Sequence, residues 1–162
     1  MFDLFKRKAI PDRISDIRTK HIKALIAREG PERAGKILRQ AAVDGNKDCS
    51  GFLSAMLCTR VTPGEYDKAP KDILEEFLFY TELAAKQGDA SSQSHIAQYY
   101  AAMSMNADGT MSESGYENLK KAKVWYEKSA AQGYKPARQA LSQIGELFQW
   151  AERKFSKRES NT

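Results

Sequence analysis

LKKAKVWYEKSAAQG occupies Leu119 to Gly133 and runs directly into YKPARQALSQIG, Tyr134 to Gly145. Counting back from Gly133, Ala122, Trp125, Tyr126, Ser129 and Ala130 stand eleven, eight, seven, four and three residues away. These positions form one stripe of a helix with 3.6 residues per turn. The glycine suits a left-handed helix end. Beyond it, Ala137, Leu141 and Ile144 fall four, eight and eleven residues on, and Pro136 suits the first turn of a second helix. The stretch reads as two antiparallel helices joined at a glycine.

The same arrangement recurs upstream. Ala41-Ala42-Val43-Asp44-Gly45 and Ala84-Ala85-Lys86-Gln87-Gly88 align with Ser129-Ala130-Ala131-Gln132-Gly133 at intervals of 43 and 45 residues, in the range of helical-pair repeats. Ala34 and Phe77 match Ala122, Ile37 and Tyr80 match Trp125, and Leu38 and Thr81 match Tyr126. In the second helices, Cys49, Leu53 and Met56 match Ser92, Ile96 and Tyr99. The expected helices cover about 12–28, 31–44, 47–59, 70–87, 90–106, 115–132 and 136–154. Helix 12–28 lies outside the repeat, and its Ile14, Ile17, Leu25 and Ile26 give it an apolar face with which to cap the first pair. Residues 1–30 are therefore expected to form a basic segment and capping helix, 31–154 a helical-repeat domain, and 155–162 a disordered tail.

The residues of 119–145 resemble the Sel-one-like repeat, a relative of the tetratricopeptide repeat. The pattern is carried by Ala122, Trp125, Tyr126, Ala130, Ala131, Gln132, Gly133, Ala137 and Leu141, more weakly by 73–100 and faintly by 31–57. The resemblance implies an all-α fold, a short right-handed α/α superhelix (solenoid) of about seven helices. It also implies a non-catalytic protein that binds other proteins on its concave side, and among small bacterial members one use is as a toxin immunity protein.

At 162 residues the chain suits a single domain, and 41% hydrophobic with 29% charged residues is enough apolar content for a packed core. No run approaches the ~18 apolar residues of a membrane span. Met1 to Lys8 ends in Lys6-Arg7-Lys8 with no long apolar region behind it, unlike a secretory signal, so a cytoplasmic protein is expected. Net charge is +5, but residues 1–40 hold eleven Lys/Arg against five Asp/Glu, while 41–150 hold eleven against fourteen. The basic character sits at the ends. Arg13, Arg18, Lys20, Lys23, Arg28, Arg33, Lys36 and Arg39 provide an alternative function, attraction of nucleic acid or another acidic surface.

Catalysis needs a nucleophile, a base or a metal in mutual reach. The sequence contains two histidines: His21, on the apolar side of the first helix, and His95, at a packing position of the second unit. Cys49 occupies a small core position, and Cys58, near a helix end, has Arg60 as its basic neighbour in sequence. Nine residues put the two cysteines about 13 Å apart on one helix, too far for a disulfide. No Cys/His spacing suits a metal, and no phosphate-binding glycine loop is present. Phe77, Phe79, Tyr80, Trp125 and Tyr126 read as core. No enzyme activity, cofactor or metal is expected.

The expected partner surface lies on the helix after each glycine. Offsets of five, six, nine, ten and thirteen avoid the apolar stripe and give Ser50, Ser54, Gln93, Ser94, Gln98, Arg138, Gln139, Ser142, Gln143 and Glu146. These short polar side chains specify contacts, with apolar anchors at their edge required for tight binding.

Overall fold

The computed structural model describes residues 10–159, with side chains in the last helix described as far as Phe155. Seven α-helices follow in order: α1 Thr19–Glu29, α2 Pro31–Val43, α3 Lys47–Cys58, α4 Lys71–Lys86, α5 Ala90–Ala102, α6 Glu113–Ala131 and α7 Lys135–Glu159. Among the described residues there is no strand. Each helix packs against its neighbours in the chain. The all-α expectation holds.

The three glycine junctions share one local structure. Gly45, Gly88 and Gly133 have φ of 97°, 94° and 84°, a left-handed backbone that side chains with a Cβ disfavour. In each, the amide after the glycine bonds back into the preceding helix: Asn46 to the Ala41 carbonyl, Asp89 to Ala84 and Tyr134 to Ser129. This six-to-one bond consumes a carbonyl that the helix end would otherwise leave unpaired. The next helix starts at once, because Asn46 Oδ1 accepts from the amides of Asp48 and Cys49 and Asp89 accepts from Ser92. Pro31 and Pro136 lie in first turns, and Pro70 immediately precedes α4.

The N-terminal end departs from expectation. Instead of one helix over 12–28, a 3₁₀ turn at Ile14–Asp16 is followed by extended backbone at Ile17 and Arg18, and α1 begins at Thr19. The cause lies across the first junction. The Asn46 side-chain amide donates to the carbonyls of Ile14, Ser15 and Ile17, which a continuous helix would have used itself. Asp48 then accepts from the Thr19 amide at 3.0 Å, and His21 Nδ1 accepts from the Arg18 amide at 3.1 Å. His21 thus caps α1 rather than packing in its apolar face. Ile17, Ile22 and Leu25 make the buried contacts that seat α1 against the α2–α3 pair.

The C-terminal end departs in the other direction. The expected disordered tail from 155 is helical to Glu159, and residues 160–162 lie outside the described ones. Ala151 and Phe155 continue the apolar stripe of α7, and Phe155 is buried, stacked on Tyr116 with ring centroids 5.1 Å apart. With Met111 and Leu119 they form a cluster that extends the helix past its expected end. Helix α5, by contrast, stops at Ala102 rather than 106, because Asn106 and Thr110 close their own turn around Gly109.

The main core joins Ile17, Leu25, Leu38, Leu53, Leu57, Tyr66 and Phe77, and a second cluster centres on Ala97, Ala122, Tyr126 and Ala137. Two aromatics expected in the core are not fully there. Phe79 is 54% exposed, one position off the stripe, and Trp125 is half-buried with the Lys128 ammonium 4.5 Å from its ring. Of the proposed capping and repeat regions, residues 1–9 lie outside the described residues.

Candidate functional site

The expected partner surface divides in two. Ser54, Gln93 and Ser94 are buried, as is Ser50, so their expected exposure to a partner is corrected. Ser54 shares a hydroxyl contact with Thr81 of α4 at 3.1 Å and receives one from Ser92 of α5 at 3.0 Å. Ser50 reaches the Gln87 side chain, and Gln93 donates to the Ala85 carbonyl while accepting from Gln132. These residues are the polar lining of the seams between successive helix pairs. Their polarity misled the sequence reading, because a buried polar group is stable once its hydrogen bonds are made.

The other candidates remain accessible. Gln98 is half-buried on α5, while Arg138, Gln139, Ser142, Gln143 and Glu146 are exposed on α7. The contrast has a simple origin. Helix α4 covers one flank of α3, and α6 covers the same flank of α5, whereas no described helix covers that flank of α7. Five residues after the glycine, Ser50 and Gln93 are buried but Arg138 is exposed; nine after, Ser54 and Ala97 are buried but Ser142 is exposed.

The uncovered flank carries apolar residues among the polar ones. Leu141, Ile144, Gly145 and Phe148, with Lys123, Gln149 and Glu152, line a groove of about 340 Å³. Leu141 matches Leu53 and Ile96 in register, and those two are 1% and 2% exposed under their covering helices. Leu141 and Phe148 are only half-buried, and the Lys123 ammonium lies 4.2 Å from the Phe148 ring centroid. The alkyl stem of a lysine partly shields such apolar surface, as its charge remains in water. The groove supplies the apolar anchors that the polar candidates lacked.

One contact was not foreseen from the sequence. Cys58 Sγ lies 3.6 Å from His95 Nε2, bringing the C-terminal end of α3 against the middle of α5. Arg60, the basic neighbour in sequence, is exposed. Burial pushes the Cys58 thiol pKa up and the His95 imidazole pKa down, so both groups are held in their neutral forms. Cys49 is pushed up to about 11, chiefly by burial. The signal for the Cys58–His95 pair lies in register alone, thirteen residues past one junction glycine and seven past the next.

Half of the basic N-terminal set forms ion pairs within the chain. Arg28 and Arg33 pair with Glu29, Lys36 with Glu32, and Arg39 with Glu76 at 2.6 Å. The Arg18 guanidinium donates to the carbonyls of Ser15 and Ile17. Arg13, Lys20 and Lys23 are exposed. Among the described residues no group of three His, Cys, Asp or Glu side chains could hold a metal ion, and no helix is long and apolar enough to cross a membrane. No protein-family model, curated protein or solved structure matches this chain.

Proposed function

We propose that this chain is a non-catalytic, cytoplasmic protein-interaction module of the Sel-one-like solenoid type, which binds a partner protein through the exposed side of α7. The observation that carries this reading is the groove of Leu141, Gly145 and Phe148, flanked by Arg138, Ser142 and Glu152. At two earlier points in the same chain, the matching surface is closed by a helix. An apolar groove ringed by polar residues is the usual anatomy of a binding surface. A helix with apolar residues at three- and four-residue spacing fits it best. Gln98, Gln139, Gln143 and Glu146 extend the contact as hydrogen-bonding rim. The neutral state of Cys58 and His95 supports a packing role for that pair, since nucleophilic catalysis runs through the thiolate.

Use as a stand-alone inhibitor, such as an immunity protein that occupies a toxin, is one form of this function. The test is affinity capture from the native cells with the wild-type chain and with Leu141→Glu. One dominant protein captured by the wild type and lost from Leu141→Glu is expected. Capture that Leu141→Glu leaves intact, but that disappears when Arg13, Lys20 and Lys23 are neutralised and weakens steeply with salt, would replace it with the acidic-surface reading.

A further inference from the structure

The uncovered face of α7 is symmetric about Gly145. Its positions mirror one another across that glycine: Ser142 and Phe148 lie three residues away on either side, Leu141 and Gln149 four, and Arg138 and Glu152 seven. This is a seven-residue repeat, the pattern with which two helices pack at about 20°. When two such helices run antiparallel and cross at Gly145, each residue meets the one equally far on the other side of the crossing. Arg138 then faces Glu152, Ser142 faces Phe148, and Leu141 faces Gln149. Seven residues of helix place both members of the charged pair about 10 Å from the crossing, at the same height.

We propose that a second copy of this chain occupies the groove, forming a twofold dimer through antiparallel α7 helices that cross at Gly145. This rests on the reading of the α7 face as the binding surface, and names its partner. Three observations converge on a self-partner. Arg138 and Glu152 are both exposed, and neither meets an opposite charge among the described residues; Arg138 donates instead to the Gly133 carbonyl at 3.1 Å. A Cβ added at Gly145 would meet nothing within 4 Å, so another backbone can come close there. The charges have opposite sign on the two sides of that glycine. A self-complementary patch of this kind is what a twofold interface requires, since each contact is made twice. A uniformly basic or acidic rim would instead point to an oppositely charged foreign partner.

The test is sedimentation velocity of the full chain over a concentration series, with circular-dichroism melts of every variant. The wild type is expected to pass from monomer to dimer. Arg138→Glu and Glu152→Arg singly should each weaken association about tenfold or more, through like charges brought face to face. The double exchange should restore it. Gly145→Leu should be monomeric, with a melting temperature undiminished at low protein concentration where the wild type is monomeric too, because its side chain enters open space in the monomer. As an independent measurement, oxidised Gly145→Cys should cross-link to a dimer at the twofold axis, and Gln139→Cys should not. A wild type that stays monomeric at its highest soluble concentration overturns the proposal. So does a dimer indifferent to Arg138→Glu, Glu152→Arg and Gly145→Leu alike. A monomer that still captures a different protein, with capture lost in Leu141→Glu, sinks the second copy and keeps α7 as the binding surface. A monomer whose capture ignores Leu141→Glu sinks both.

Discussion

Cys58 Sγ lies 3.6 Å from His95 Nε2, and the other ring nitrogen of His95 is buried without a hydrogen-bond partner among the described residues. The imidazole therefore loses hydration at Nδ1 on folding and gains one weak sulfur contact in exchange. Burial lowers its pKa below the ordinary value of 6.5, with a smaller opposing effect from Asp89.

A pH dependence follows from that shift. The folded protein prefers neutral His95, whereas the unfolded chain takes up a proton near pH 6.5. The stability this contributes is fully present above that pH and is lost as pH falls below it, toward the lowered folded value. Urea melts at neutral pH and at pH near 5 should show a loss, and His95→Gln should flatten the change. An unchanged slope in His95→Gln would show that other groups govern acid stability.

Thiol chemistry follows from the same pair. Because burial raises the Cys58 pKa, its reaction with an aromatic disulfide reagent should be slow at neutral pH and accelerate only above the ordinary thiol range. Cys49, fully buried with a pKa pushed to about 11, should react only on unfolding. A fast-reacting thiol at neutral pH would contradict the neutral pair.

The seam assignment predicts unequal tolerance among residues that look alike in the sequence. Ser54→Ala removes a hydroxyl shared by Thr81 and Ser92 and should cost about 1–3 kcal/mol. Gln139→Ala, at an exposed site, should stay within about 0.5 kcal/mol. Equal effects in urea melts would mean that Ser54 is not held as described.

Aromatic truncations should rank by burial. Phe77→Ala, at a site 2% exposed, should cost about 3–5 kcal/mol. Trp125→Ala, at a half-buried site, should cost less, about 1–3 kcal/mol, since solvent already reaches part of the ring. Phe155→Ala should unravel the end of α7, and loss of helical circular dichroism would report it.

Two glycines on either side of α7's first turns should respond with opposite sign. Gly133→Val forces a branched side chain into a left-handed backbone and should destabilise by more than about 1 kcal/mol. Gly145→Ala, inside the helix with open space around it, should stabilise the monomer by up to about 1 kcal/mol in melts at low protein concentration.

Much of the helical framework was legible in the sequence because its determinants are local. A small-residue pair before a glycine, and Asn46 or Asp89 after it, end one helix and begin the next within a few residues. The periodicity of Leu53, Ile96 and Leu141 located one face of each second helix. What only the tertiary structure decided is which neighbour covers each flank. Ser54, Gln93 and Ser94 are as polar as Ser142 and Gln143, yet the first three are buried and the last two lie in water. Composition cannot separate them, because a serine with a hydroxyl partner is as stable inside as one bonded to solvent. The ends moved for the same reason: Asn46, thirty-two residues away, takes the Ile14 carbonyl from a helix, and Tyr116 holds Phe155 in one. Those competitions are settled by contacts distant in sequence, and no local propensity encodes them.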